Sequence, residues 1–403
     1  RFLRGNIRHH PVLALLVQQQ VLQHMEENKR VTEKDVPALK LIAKKLRLQL
    51  RFEIYKPHLL THSLFWLWQH YDLWALQHLC QYVDVQIVKE KDDLFLAGSN
   101  GDTVYLLSRG AISYLQEPAS SVVNDTIEEN VEIGSWIVEA ALWCSWIHVG
   151  TASARKPCEI LTLHAESMST LLGMMHTVMK DIVMEYCYAF QRRLQTSKPP
   201  YAPWPNDLHV PFATFGEIAI AMKASLRNTI CKDLLDKFYS GKVLTQKPPM
   251  AMLQEEVSRG LSSLILSESG GVQRVTSLVA ARVEHEAGHT KKFLVQIAQW
   301  GGAPGTEMKP LCQLPQLRYK EDDELVSNAL WRLMETEFPM LKDAVSVRRW
   351  KRQAVEKESN SYKIHTHSLR STCTLEYTGG TEISSQHVIA HTGHLASTYS
   401  RGA

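Results

Sequence analysis

The amino-acid sequence predicts an α+β protein of two or three units, and three observations carry that expectation. Apolar residues recur at helical spacing in a basic opening stretch. The texture then changes, from about residue 84 to 163, to short apolar runs between Gly, Asn and Asp turn signals. A long helical stripe next ends in SKPPYAPWPND, four prolines in seven residues, and a second mixed part follows. At 403 residues, 44% hydrophobic and 22% charged, each unit can bury a core of its own.

The opening stretch sets the first unit. Val12, Leu15, Leu16, Val21, Leu22 and Met25 repeat at helical intervals, and a basic helix containing KKLRLQLRFEIY follows a polar linker ending near Pro37. Residues 1–60 hold twelve Lys or Arg against five Asp or Glu, a local charge of about +7, whereas the remainder is slightly acidic. Such a segment suits anionic lipid or an acidic partner. The net charge of +3 is too small for a dedicated nucleic-acid binder, so no nucleic acid is expected as a partner. No apolar run reaches the eighteen or so residues needed to cross a bilayer, since PVLALLV at 11–17 runs into three glutamines. The chain opens with Arg1 rather than Met, so the expectation is a fragment preceded by a membrane part. Cysteines 80, 144, 158, 187, 231, 312 and 373 are odd in number and lack a C-x-x-C pair, which points away from a disulfide framework or zinc knuckle and toward a reducing compartment.

The β-rich runs DVQIV, DLFLAG, TVYLLSRG, AISYL, SWIVEAALW and CEILTL predict a compact all-β unit. A single long helix is expected after it, from Met168, Leu171, Leu172, Met175, Val178, Met179, Ile182, Tyr186 and Phe190. Beyond the prolines the pattern reads as helix to about 265, two strand-like runs (VTSLVAARVE and KKFLVQIAQW), a helix near 321–337, and YKIHTHSLRSTCTLEY. The last twenty-odd residues are polar and expected to be disordered. There is no internal repeat.

Three stretches imitate functional motifs. FGEIAIAMKASLRNTI at 215–230 has the layout of a phosphate cradle, Phe-Gly-Glu and later Arg-x-Thr. Thr214 and Glu217, however, have capping-box spacing, and Phe215, Ile218, Met222, Leu226 and Ile230 form a stripe ending before Gly241, so a helix over 215–240 is predicted instead. HEAGH at 285–289 matches the H-E-x-x-H zinc motif, which needs a helix, whereas Gly288 before Thr-Lys-Lys favours a β-hairpin turn and no zinc at His285 and His289. LPQLRYKEDDELVSNALWRLMETEF at 314–338 weakly resembles the Nudix hydrolase helix. With Arg332 on its arginine, Glu324 and Glu337 fall on acidic positions, but Thr336, Leu333 and Arg318 fall where the pattern wants other residues, so a scaffold without hydrolysis is expected. Trp66, Trp68 and Trp74 are read as packing aromatics where the helical opening meets the β unit.

A family resemblance appears in the β unit. FLAGSNGDTVYLLSRGAISYL (95–115) resembles the early strands of cyclic-nucleotide-binding domains, with Gly98 and Gly110 at tight turns flanking a strand that contains Tyr105. GSWIVEAALWCSWIHVGTASARKPCEILTL (134–163) resembles their phosphate cradle, and the resemblance covers roughly residues 80–195, including the lid helix. Upstream, KKLRLQLRFEIYKPHLLTHSLF (44–65) resembles the C-linker of voltage-gated potassium and cyclic-nucleotide-gated channels. The resemblance implies a division into 1–79 helical C-linker, 80–197 β-roll and lid helix, 198–265 proline-rich linker and helices, 266–378 α+β domain, and 379–403 tail.

What the resemblance implies for function is a cytoplasmic gating region of a potassium-type channel, not an enzyme, with a soluble cyclic-nucleotide sensor as the alternative class and a Nudix-like or zinc hydrolase behind it. Its partners would be an upstream transmembrane pore of the same chain, a homotetramer through residues 10–62 around Leu46, Leu50, Phe52 and Ile54, and inner-leaflet lipids. Carried over residue by residue, the ribose-binding glutamate falls on Glu139, followed by Ala140, and the Ala-Thr pair on Gly150 and Thr151. The family glycine falls on Val138 and the family arginine on Val149. An arginine–phosphate pair is worth about 1.5–3 kcal/mol, so without it cAMP or cGMP binding is expected to be at most weak, and the pocket empty or self-occupied.

Overall fold

A computed structural model describes residues 33–239, 247–266, 271–287, 290–299, 309–319, 324–359, 362 and 364–379. The expected helix over Val12–Met25, the positions Gly241, Gly288 and His289, and the tail from 380 lie outside the described residues. Helix α1 (Lys44–Leu59) buries Phe52, Tyr55 and Leu59, one face at three- and four-residue spacing. Arg51 fastens it to the helix after next by donating to the carbonyls of Cys80, Gln81 and Val83. Two capped helices follow, α2 (Ser63–Tyr71) and α3 (Leu73–Tyr82). The His62 ring accepts from the Leu64 amide at 3.3 Å, and Asp72 accepts from the Ala75 amide at 3.0 Å. Of the three tryptophans, Trp68 is fully buried and Trp66 partly so, but Trp74 is 42% exposed and stacked on His78, one turn along its own helix.

Eight strands build the β unit: β1 (Asp84–Val88), β2 (Asp93–Phe95), β3 (Asn100–Gly101), β4 (Thr103–Gln116), β5 (Ile127–Val131), β6 (Trp136–Ile137), β7 (Trp146–Ile147) and β8 (Thr151–His164). All pairings are antiparallel. The main sheet runs β1-β8-β4-β5, with β2 on β8 and β6 on β4, while β3 and β7 pair separately at one end. The strands form an antiparallel β-roll, with a one-turn helix, α4 (Ala140–Trp143), between β6 and β7. Period-two alternation gives its long strands two buried faces: Val104, Leu106, Leu161 and Leu163 pack on the helices, whereas Leu107, Ile112, Tyr114, Cys158 and Ile160 fill the roll.

Gly110 differs from its expectation. It lies inside β4 rather than at a turn, at φ +107°, where the register shifts on either side of it. A Cβ there would meet Cys158 and the Pro157 carbonyl at 2.6–2.7 Å, so glycine lets two long strands cross closely. The expected single lid helix is two, α5 (Ala165–Leu172) and α6 (Thr177–Thr196). Between them the His176 amide donates to Asp72 at 2.9 Å, which docks the break onto the start of α3.

After the proline-rich segment come α7 (Phe215–Ala221), α8 (Ala224–Tyr239) and α9 (Lys247–Ser258). The Thr214–Glu217 capping box forms, but the expected continuous helix over 215–240 breaks at Met222–Lys223. The cause is Arg227, buried and donating to the carbonyls of Ile220 and Met222 at the end of α7 and of Val257 at the end of α9. Helix does not continue to 265 either, because Ser263–Leu266 is strand β9. It joins β10 (Val272–Ala287), β11 (Thr290–Phe293), β14 (Gln316–Arg318), β15 (Val345–Glu358) and β16 (His365–Tyr377), while β12 (Gln296–Gln299) and β13 (Lys309–Gln313) pair apart. Within this second sheet β10 and β16 are parallel, and β10 and β11 form an antiparallel hairpin through which His285–Ala287 faces Thr290–Lys292. Helix α10 (Val326–Glu337) lays Ala329, Leu330, Leu333 and Met334 on Val279, Ala281, Val283, Cys373 and Leu375.

Gly98 and Gly110 both have positive φ, but only Gly110 lacks room. Gly98→Ala should cost about 1–2 kcal/mol for the left-handed backbone, and Gly110→Ala roughly 3 kcal/mol or more once overpacking is added. Urea unfolding of the two variants would reject this packing if their midpoints fell equally.

Candidate functional site

The mouth of the β-roll gathers the residues assigned to the cradle from sequence: Val138 and Glu139 after β6, Ala140 in α4, and Val149, Gly150 and Thr151 leading into β8. Its centre is occupied by a residue the sequence reading passed over. Asp207, from the proline-rich segment, inserts a fully buried carboxylate between them. One carboxylate oxygen accepts from Trp146 Nε1 at 2.8 Å and contacts His148 Nδ1 at 2.7 Å. The other accepts from the Tyr114 hydroxyl at 2.7 Å and from the amides of Val149 and Gly150 at 2.9 and 3.0 Å. The Val138 amide donates to the Asp207 carbonyl at 2.6 Å.

Local chemistry presents this side chain. The Asn206 side-chain oxygen accepts from the amides of Leu208 and His209 at 3.0 and 2.8 Å, an Asx turn that projects Asp207 from the segment, and Leu208 packs against the interior of the roll. Burying an ion is costly unless it is paired and hydrogen-bonded, and here both oxygens are saturated with donors. Burial and the Asp207 charge push the Tyr114 hydroxyl far above its ordinary pKa, so it stays a donor through the neutral range.

Two cradle positions carry a backbone signature. Val138 sits at φ +64°, a conformation suited to glycine and costing a β-branched residue about 1–3 kcal/mol. This is the position on which the family glycine falls. At Gly150 a Cβ would lie 2.4–2.6 Å from the Tyr114 ring, so only glycine brings its amide within reach of the carboxylate. Glu139 serves another purpose. Its carboxylate accepts from the Tyr186 hydroxyl at 2.7 Å and from Trp143 Nε1 at 3.2 Å, and lies 3.2 Å from His62 Nε2. It therefore ties the cradle to α2 and α6. Burial opposes its charge, but the His62 interaction and the donated hydrogen bonds outweigh that and hold its carboxyl below the usual range. Ala140 is buried in α4, and the Thr151 hydroxyl accepts from the Ala97 amide at 3.2 Å.

The other sequence candidates do not converge here. Glu324 forms a two-pronged ion pair with Arg332 at 2.7–2.8 Å, Thr336 donates to the Arg332 carbonyl, and Glu286 pairs with Lys291 at 3.0 Å. Among the described residues no group of three or more His, Cys, Asp or Glu is placed to hold a metal ion. No helix of the described residues is long and apolar enough to cross a membrane.

No family model matches the chain, and no curated protein does. Solved structures that are similar include a cyclic nucleotide-binding-like protein from Brucella abortus, at 18% identity over 27% of this chain and 90% of that one, with a TM-score of 0.23. The regulatory domain of Toxoplasma gondii PKA, crystallised with cAMP, is 16% identical over 37% of this chain and 54% of its own, at a TM-score of 0.29. The N-terminal domain of a transcriptional regulator from Streptomyces coelicolor is 17% identical over 34% and 90%, at 0.28.

Two outcomes follow from the site. Tyr114→Phe removes a charge-assisted donor from a buried ion and should destabilise the chain by about 1.5–3 kcal/mol in urea unfolding; a loss below about 0.5 kcal/mol would mean that the hydroxyl does not hold Asp207. Because the Glu139 pKa is depressed in the folded chain, its contribution is present above the ordinary glutamate value of about 4.3 and is lost as pH falls through the folded value. Thermal midpoints of the unaltered chain and Glu139→Gln should therefore differ near neutrality and converge in acid. A gap constant with pH would contradict the charged hub.

Proposed function

We propose that this chain is a regulatory protein whose β-roll is a self-liganded anion sensor. The observation that supports the reading is the Asp207 carboxylate on the amides of Val149 and Gly150, the cradle position where the family resemblance puts a cyclic phosphate. The cradle is thus a competent anion site filled from within. A cyclic nucleotide is the class of ligand that competes for it, as the alternative sequence reading implies, and the reading involves no catalytic step. Val149 supplies no guanidinium, and the Glu139 carboxylate is engaged by α2 and α6, so an external nucleotide starts from a weak position. It also competes with a tethered carboxylate whose effective concentration is on the order of millimolar or higher.

The finer placement, beneath a potassium-type channel pore with homotetramer contacts through residues 10–62 and inner-leaflet lipids nearby, is a second reading. Leu46 and Ile54 on α1, and Leu41 before it, favour it because all three are exposed. Phe52, expected on that surface, is instead in the core and belongs to no such contact.

The whole chain is required for the test, because a fragment ending near residue 200 would lack Asp207. Calorimetric titration with cAMP and with cGMP should give little or no saturable heat for the unaltered chain at micromolar concentrations. Asp207→Ala should strengthen binding of one of them at least about tenfold, and adding Val138→Gly with Val149→Arg should strengthen it by on the order of tenfold again. An Asp207→Ala chain that stays folded and binds neither nucleotide would reject the sensor reading.

A further inference from the structure

Strand β15 closes one edge of the second sheet, and its sequence VSVRRWKRQAVEKE sorts charge by face. Residues paired across a sheet point to the same side. Arg349 pairs with Thr374, Lys351 with Thr372, Gln353 with Arg370, Val355 with Ser368 and Lys357 with Thr366, and all of these share the face away from α10. The acids Glu356 and Glu358 alternate onto the other face, where Glu356 meets His367 at 3.1 Å. The outward face of β15 therefore carries three cations and no acid, and Arg349, Lys351, Gln353, Val355 and Lys357 are all exposed.

The register carries this face across the sheet. Arg370 on β16 pairs with Leu278 on β10, Leu278 pairs with Arg318 on β14, and Thr374 pairs with Arg282. Most acids within reach are already committed. Glu256 of α9 pairs with Arg274 and Arg318 at 2.5 and 2.7 Å, Glu284 lies between Arg282 and Lys291 at 2.8 and 3.8 Å, and Lys291 also holds Glu286 at 3.0 Å. Arg349, Lys351, Lys357 and Arg370 have no such partner among the described residues, and the Nε of Arg370 is shut off from solvent without a hydrogen bond. Against these four stands Glu376, so the surplus is positive.

Apolar side chains stand at the far edge. Phe293 on β11 pairs with Glu284 and so shares the face, with the Arg282 guanidinium 4.5 Å from its ring centre. Phe293, Val295 and Ile297 are exposed, as is Val355 within the basic strand. From Arg349 to Lys357 the cations run roughly 27 Å along β15, and β11 lies about 14 Å across from it. They are laid out on a sheet rather than gathered into a cleft.

We infer that this face docks on an anionic lipid bilayer, with the four unpaired cations on its headgroups and Phe293, Val295 and Ile297 at the acyl boundary. Each cation near such a surface adds an attraction that salt screens. Exposed aliphatic side chains gain from burial at that boundary, whereas they offer no stacking face to the bases of a nucleic acid. The inference rests on neither reading above, since none of these residues belongs to the roll or to residues 10–62.

Co-sedimentation of the full chain with vesicles of phosphatidylcholine alone, and of phosphatidylcholine with phosphatidylserine, tests it. The chain should bind the mixed vesicles, weaken as salt rises, and bind the neutral ones far less. Arg349→Glu with Lys351→Glu, both exposed and unpaired, should weaken binding at least about tenfold with the thermal midpoint nearly unchanged. Val295→Ser with Ile297→Ser should weaken it several-fold, and that loss should persist in high salt. The opening stretch is also basic, so vesicle binding that the Arg349–Lys351 double variant leaves intact belongs to residues 1–60 and overturns the inference. Absence of binding to the mixed vesicles would overturn it too, as would tighter binding to a single-stranded oligonucleotide that the same double variant abolishes.

Discussion

A single buried carboxylate constrains the mouth of the β-roll. Asp207 cannot stay charged in an apolar barrel unless every lone pair is met, and the donors that meet it come from β4 (Tyr114), β7 (Trp146), His148 and the start of β8. Removing any one of them leaves a buried charge short of partners, so the segment between α6 and α7 is fixed by chemistry rather than by bulk. The same requirement explains Gly150, which alone lets an amide come close under the Tyr114 ring, and the left-handed Val138, whose amide takes the Asp207 carbonyl.

Adjacent residues then face opposite ways. Val138 holds the plug, and Glu139 holds His62 at the start of α2, Trp143 in the cradle helix and Tyr186 in α6. Movement of the plug must pull on that peptide, and the peptide is joined to both helical flanks. Farther along α6, Arg193 reaches the Glu217 carbonyl, while the Glu217 side chain caps α7 through Thr214 and pairs with Arg352 in β15. The roll, the helices before it and the sheet after it are therefore connected by buried polar contacts as well as by a continuous apolar core.

The apolar runs of β4 and β8 were readable from sequence because both faces of these strands are buried, and the Thr214–Glu217 box because its two residues sit within one turn. The positions of Val138, Val149 and Gly150 at the mouth of the roll came from the family resemblance alone. Asp207 was not readable. It stands 93 residues from Tyr114 and 57 from Gly150 in the chain, inside a proline cluster that reads as a linker, and no local pattern signals a contact across that distance. The breaks in the lid helix and at Met222 were illegible for the same reason, since Asp72 and Arg227 satisfy those backbone groups from elsewhere in the fold. Arg227 had the look of a phosphate ligand, whereas a guanidinium that can donate five hydrogen bonds is equally suited to gathering helix-end carbonyls.

Hydrogen exchange at the amides of Val149 and Gly150 in the full chain tests the central claim most directly. Both donate to a buried carboxylate, so the account predicts that they exchange only with opening of the roll, as slowly as the core amides of β8. Exchange at rates typical of an exposed loop, with the β8 amides still protected, would mean that Asp207 does not occupy the cradle.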